Sequence, residues 1–254
     1  MRKALLFAMS LALVFTSCST DSSSSSSTTG TKLTKIIETY DDGTIENINF
    51  EYNGNKIVSV SSDLDLQDET FYTYTGDLIT KEESFFDDGA GYTSHDVVVF
   101  EYDSSDRLIK STMTDDAGYV EVDAFTYNTN GTISFVTTSG GSTIASGVIY
   151  LNGNQPYKKE VTENAGYSWV EENFFDDKVN PMNSIIGLSK IEIACPTFNR
   201  GFSGTTNNLI EVKIDNVTDW STVYTYNSNN MPATDVYTEP SNPDNNSTSQ
   251  YIYN

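Results

Sequence analysis

The chain is poor in histidine, cysteine and positive charge. Of its 254 residues one is histidine, His95, and two are cysteine, Cys18 and Cys195. A multi-histidine metal site or a histidine-activated nucleophile would have to pass through that single imidazole, and Tyr92-Thr-Ser-His-Asp96 reads as the start of a strand with His95 at the surface. Cys195, in Ile193-Ala-Cys195-Pro196, reads as a buried apolar filler. Fourteen Lys and Arg stand against 36 Asp and Glu, a formal net charge of -22. No basic stripe exists to displace counterions, so nucleic acid is excluded as a partner. The acidic excess reads as a solvated exterior that discourages edge-to-edge pairing, with a cation or basic-partner site as the sharper alternative.

Other signatures are missing too. Beyond the first 20 residues no 3.6-residue apolar pattern is sustained, which excludes long amphipathic helices. There is no glycine-rich phosphate loop, nucleophile elbow or zinc signature, so no cofactor is expected. Asp63-Leu-Asp65-Leu-Gln-Asp68 alternates as a calcium loop does but lacks that loop's glycine and terminal glutamate, so no metal is assigned. The doublets Glu82-Glu83 and Glu171-Glu172 cannot supply a facing acid and base, because neighbours on a strand point to opposite faces. The chain is therefore not expected to be an enzyme. A carboxylate-dependent glycosidase, its pair drawn from different strands, is the remaining catalytic alternative.

What the chain does contain is a repeated phrase: aromatic, any residue, aromatic, polar turn, aliphatic. It reads Phe50-Glu-Tyr52 before Ile57, Tyr72-Thr-Tyr74 before Leu78, Phe100-Glu-Tyr102 before Leu108, Phe125-Thr-Tyr127 before Ile133 and Tyr224-Thr-Tyr226 before Met231. Weaker copies are Val148-Ile-Tyr150, Phe175 and Tyr251-Ile-Tyr253, and the marker aromatics are spaced by 22, 28, 25, 23, 25, 51 and 27 residues. The interval of 51 is taken to hide one further unit around Gly204 to Ile210. Such periodicity means one supersecondary unit used many times.

Each unit reads as a hairpin. Phe100 and Tyr102 share one face and Glu101 the other, the alternation of a half-buried strand. Turns follow at Asn53-Gly54-Asn55, Thr75-Gly76-Asp77, Ser104-Ser105-Asp106 and Asn128-Thr-Asn130-Gly131. A second set lies between units at Asp41-Asp42-Gly43, Asp87-Asp88-Gly89 and Asp115-Asp116-Ala117-Gly118, where Asp-Gly predicts type I′ geometry. The fold class is therefore all-β: an antiparallel up-and-down meander of about 16–18 strands, too many for a flat sheet. It is expected to curl into a flattened or partly open barrel with the Phe, Tyr, Ile and Leu face inside.

The N-terminus carries Arg2-Lys3, a 13-residue run from Ala4 to Thr16, then Ser17-Cys18. The run is too short to span a bilayer and reads as an export signal. It resembles a bacterial lipoprotein signal, which implies cleavage after residue 17 and acylation of Cys18. Residues 18–30, Cys18 and a serine-rich tract, form a flexible tether, and residues 31–254 a single β-repeat domain. Ser19 after the cysteine implies the outer membrane, on its periplasmic or surface side. An integral barrel is disfavoured because Glu51, Glu101 and Glu121 recur along strands that would need an apolar band.

Tyr102-Asp-Ser-Ser-Asp-Arg-Leu108-Ile-Lys110 resembles the YD (Rhs-type) repeats. Phe174-Phe-Asp-Asp-Lys-Val-Asn-Pro181 with Leu209-Ile-Glu-Val-Lys213 and the serine tether resembles uncharacterised Bacteroidetes lipoproteins with a porin-like β domain of unknown function. That resemblance implies architecture and transfers no site. The repeated aromatics are core positions. Trp169 and Trp220 fall outside the phrase and are the places to look for ligand contact. The expected role is a non-catalytic binding or interaction module at the cell envelope, holding a glycan or protein partner and attached to the membrane through its lipid. A purely structural or adhesion scaffold is the alternative.

Overall fold

The structure, a computed structural model, describes residues 31–196 and 203–254. The signal segment, Cys18 and the tether lie outside the described residues.

Sixteen strands follow one another: β1 (Leu33–Tyr40), β2 (Ile45–Asn53), β3 (Lys56–Ser62), β4 (Gln67–Thr75), β5 (Leu78–Asp87), β6 (Thr93–Tyr102), β7 (Leu108–Thr114) and β8 (Val120–Tyr127), then β9 (Ile133–Ser139), β10 (Ser142–Asn152), β11 (Gln155–Glu163), β12 (Ser168–Val179), β13 (Asn207–Ile214), β14 (Val217–Tyr226), β15 (Pro232–Thr238) and β16 (Ser247–Tyr253). Each pairs antiparallel with its sequence neighbours, and β1 pairs with β16 from Leu33 opposite Tyr253 to Tyr40 opposite Ser247. The barrel is therefore closed, not partly open as expected from the sequence. Closure satisfies the last row of strand-edge amides and leaves no template for edge pairing.

The repeated phrase has a direct structural meaning. Its second aromatic faces the aliphatic across the hairpin: Tyr52 opposite Ile57, Tyr74 opposite Ile79, Tyr102 opposite Leu108 and Tyr127 opposite Ile133. In three of these hairpins one extra residue follows the aliphatic, Val58, Thr80 or Ile109, a bulge that restores the inward register for the rest of the strand. The tyrosine hydroxyl then donates to a backbone carbonyl one hairpin earlier: Tyr52 to Leu33 O at 2.7 Å, Tyr102 to Ile79 O at 2.6 Å and Tyr253 to Pro232 O at 2.8 Å. These three units are thus latched to their predecessors at one end of the barrel, hereafter the tyrosine end.

The turns correct a second expectation. In Tyr40-Asp41-Asp42-Gly43 the Gly43 amide donates to Tyr40 O at 2.9 Å and only Gly43 is left-handed, at φ 86. This is a type I turn followed by a left-handed residue, not type I′, which needs positive φ at both central positions. Asp106 and Asn230 fill the equivalent position at φ 57 and 58, the residue types that tolerate it best after glycine.

The 51-residue interval hides no extra hairpin. Phe175 lies in β12 and Asn207-Asn208-Leu209-Ile210 in β13, so the two strands form one unit whose turn has grown into a long connection. Its described parts pack into the lumen at the tyrosine end, where Met182, Ile185, Leu188, Ile191, Ile193 and Ala194 join the core of Phe50, Ile57, Ile79, Phe100, Leu108, Phe125 and Phe135. The Ile186 amide donates to Asn55 O at 2.9 Å, and the Tyr74 hydroxyl donates to Ile186 O at 2.9 Å. Gly187, at φ 82, abuts the β4–β5 turn so closely that a Cβ there would stand 2.9 Å from Asp77 O. A sixteen-stranded cylinder is too wide for its own inward side chains to fill, and this plug supplies the missing apolar volume.

Candidate binding cavity

Inward positions change character along the barrel. Phe, Tyr, Ile and Leu dominate the tyrosine end, whereas Glu38, Glu46, Asp68, Glu82, Asp96, Glu121 and Asp123 share the inward parity further along the strands. Most of the deeply buried acids are supplied with donors. Asp123 receives the Ser111 hydroxyl at 2.9 Å and the Thr137 hydroxyl at 2.7 Å, and the Lys159 ammonium sits 2.9 Å from Glu171 with both side chains largely buried. Burial still raises the carboxyl pKa of Asp123 above the usual aspartate range, its hydrogen bonds opposing only part of that cost.

Between the plug and the wall formed by β1, β2 and β13–β16 lies a cavity of about 420 Å³. Asn180, Pro181 and Met182 of the plug form one side. Its wall carries Trp220, Tyr224, Tyr237 and Tyr251 together with the carboxyls of Glu38 and Asp235. Strand alternation explains the set: Trp220, Thr222 and Tyr224 are successive inward residues of β14, and Asp235 and Tyr237 of β15. Trp220 leans on Tyr237 with ring centres 5.7 Å apart, and Tyr224 meets Tyr251 edge to face at 6.2 Å.

Glu38 and Asp235 both lie opposite Ser249, one strand to either side, so they occupy one row across the wall with backbones about 10 Å apart. The Ser247 hydroxyl donates to Glu38 and the Tyr251 hydroxyl to Asp235 Oδ2 at 2.5 Å. Asp235 is only 7% exposed, and its Oδ1 accepts no hydrogen bond among the described residues. Burial raises the pKa of both carboxyls, and for Glu38 the nearby charges of Glu46 and Asp235 push further in the same direction. The same burial lifts the Tyr237 phenol to about 12.

Of the two tryptophans singled out in the sequence, Trp220 lines this cavity and Trp169 does not. Trp169 faces the lumen one strand pair away, its indole N–H donating to Glu163 at 3.3 Å and its ring 6.0 Å beneath the Lys159 ammonium. Cys195 is half-buried in the plug, where it lines that second region, rather than fully buried as expected, and its backbone is left-handed at φ 51. His95 lies on the outside, stacked on Phe85 at 4.4 Å and 3.0 Å from Glu83. The residues that sequence reasoning passed over are Glu38 and Asp235. Alternation in Thr234-Asp235-Val236-Tyr237 puts Asp235 on the tyrosine face, which was legible, but only register brings Glu38 alongside.

The exterior is polar as well as apolar. Lys110 pairs with Glu101 at 2.7 Å and Lys158 with Glu160 at 2.7 Å across the outer surface, interleaved with Thr, Ser and exposed apolar residues, among them Val223 opposite Val236 and Phe71 edge to face with Phe85. Glu51 and Glu101 face outward as expected. Glu121 does not: it is 4% exposed and turned into the lumen, so it says nothing about the outer surface.

No protein-family model matches the chain, YD repeats included, and no curated protein does. Among solved structures it is similar to a porin-like protein from Bacteroides uniformis ATCC 8492, with a TM-score of 0.53 and 12% identity over 87% of this chain and 98% of that one. The likeness is one of fold. A porin-like protein from Bacteroides vulgatus ATCC 8482 aligns at 11% identity over 88% of this chain and 99% of that one, with a TM-score of 0.42.

Proposed function

We propose that this chain is a non-catalytic, lipid-anchored binding module of the cell envelope whose barrel holds a small molecule in its lumen. Residues 1–17 direct export, Cys18 carries the lipid, and the tether lets a water-facing barrel stand off the membrane. The observation that carries the binding role is the internal cavity lined by Trp220. Aromatic walls with a few convergent polar groups and a volume of this order are what small-molecule sites have in common. The outward charged pairs Lys81–Glu83 in β5 and Lys158–Glu160 in β11 support aqueous surroundings for the barrel wall, since lipid-facing charges at mid-strand are costly.

The test is ligand-observed NMR on detergent-free mature protein with a panel of monosaccharides, disaccharides, amino acids and amines. At least one class is expected to bind the native protein and to be lost in Trp220→Ala. Binding unaffected by Trp220→Ala would move the site elsewhere, and silence across the panel would remove the binding role.

A second reading, a carboxylate-dependent hydrolase, is favoured by one observation: Glu38 and Asp235 share a row in the cavity wall and both have raised pKa values. Turnover of aryl glycosides that disappears in both Glu38→Gln and Asp235→Asn would establish it in place of the binding role.

A further inference from the structure

The lumen already contains one way of holding an ammonium group. Lys159 extends from β11 with its Nζ 2.9 Å from Glu171 and 6.0 Å from the centre of the Trp169 ring. Carboxylate on one side and aromatic face on the other is a favourable setting for a partly desolvated cation. The chain repeats the aromatic half elsewhere, with Lys56 5.2 Å from the Tyr74 ring centre, Arg107 4.5 Å from that of Tyr127 and Lys213 4.8 Å from that of Phe174.

The cavity beside Trp220 has the same walls without the cation. It carries two carboxyls and four aromatic rings, and among the described residues none of its lining is Lys, Arg or His. Among its acids Asp235 is the one with an underused oxygen: Oδ2 takes the Tyr251 hydroxyl, while Oδ1 accepts no well-formed hydrogen bond among the described residues, Ser249 being at most a weak donor beside it, although the residue is 93% removed from solvent. A buried acceptor without a partner is costly, and structures keep one where a missing group supplies the donor. Asp176, also within the barrel, shows the contrast. Its two oxygens are taken by Asn208 N at 3.0 Å, Asn208 Nδ2 at 2.9 Å and the Tyr226 hydroxyl.

We propose that the cavity binds a small organic ammonium ion, its nitrogen between Asp235 and Glu38 and its hydrocarbon part against Trp220, Tyr224 and Tyr237. The cation takes the place that Lys159 fills beside Trp169 and Glu171. A neutral sugar uses the aromatic wall but leaves the buried Asp235 and the half-buried Glu38 without compensating charge. The terminal torsion of Asp235 is soft enough to turn either oxygen toward the ligand. The inference rests on the cavity being the binding site and adds the chemical class of its ligand.

The experiment is isothermal titration of the mature, detergent-free protein with charged and neutral partners of matched shape: tyramine against tyrosol, and choline against 3,3-dimethylbutanol, with glucose and cellobiose alongside. An amine is expected to bind at least about tenfold more tightly than its neutral counterpart, and Asp235→Asn to remove most of that advantage. Glu38→Gln is the second variant, since it weakens amine binding without touching the Tyr251 contact. Glu51→Gln, on the outer surface, is expected to leave binding unchanged. Equal affinity for amine and neutral partner, or amine binding that survives both Asp235→Asn and Glu38→Gln, overturns the cation assignment. Sugar binding lost in Trp220→Ala overturns it too while leaving the cavity as a binding site, and silence from every probe removes both.

Discussion

The Tyr251 hydroxyl stands 2.5 Å from Asp235 Oδ2, one strand away, and is the main donor to the buried carboxyl, ahead of Ser249. The contact joins β16, the closing strand, to β15, so it serves the barrel as well as the cavity. Tyr251→Phe deletes the donor and leaves the acid buried. A loss of about 2 kcal/mol is expected in urea unfolding, more than for an ordinary surface hydrogen bond. Adding Asp235→Asn to that variant is expected to recover part of the loss, because the group left behind is then neutral.

Stability should depend on pH in a direction set by the lumen. Glu38, Asp68, Asp123 and Asp235 have folded pKa values raised above 4.5 or 3.8, chiefly through burial. A raised carboxyl binds protons more tightly in the fold than in the unfolded chain, so its contribution is complete below the unfolded value and lost as pH climbs through the folded one. The exposed Asp42, Asp88 and Asp103 act oppositely, their pKa values lowered by hydrogen bonds within the turns. The melting temperature is expected to peak in mild acid and to fall as pH climbs above the ordinary carboxylate range toward neutrality. Asp235→Asn should flatten that fall, and an unchanged slope would show that the lumenal acids are not its cause.

The plug is held chiefly by apolar contact. Ile191 is fully buried, and Ile191→Ala is expected to cost about 3 kcal/mol in chemical denaturation. In native-state hydrogen exchange the Ile186 amide, bonded to Asn55 O at 2.9 Å, should be protected like the strand amides around it.

Gly147 is the tightest point of the wall. A Cβ there would stand 2.0 Å from Glu160 O and 2.7 Å from Cε1 of Phe135, whose ring lies over the glycine from the neighbouring strand. Gly147→Ala is expected to destabilise by about 3 kcal/mol or to prevent folding, and Gly147→Ala with Phe135→Leu to restore little, because the backbone clash persists.

The anchor is tested by fractionation. Cys18→Ser is expected to abolish metabolic labelling with a palmitate analogue and to release the protein from the membrane fraction, while the barrel's circular dichroism stays unchanged.

The fold was legible where the repeat encodes a local rule. Phe-x-Tyr, turn and aliphatic specify two antiparallel strands and their inward faces, because all the interacting residues lie within one hairpin. Closure was not legible, since the contact between Leu33 and Tyr253 joins the two ends of the described domain and nothing local records it. The plug was misread for a related reason. Its Met182, Ile185, Leu188 and Ile191 have no strand alternation, and their burial is decided by the width of the barrel around them. Trp220 stood out because it lies outside the repeated phrase. Glu38 and Asp235 did not, being two acids among 36, and only a register shared through Ser249 sets them in one row.

The most direct measurement is a crystal structure of the mature protein grown with saturating tyramine. The account predicts the amine inside the barrel, its nitrogen within hydrogen-bond distance of Asp235 or Glu38 and its ring against Trp220, with the plug in place behind it. A cavity that stays empty at saturating ligand, or tyramine bound only on the outer surface, would contradict it.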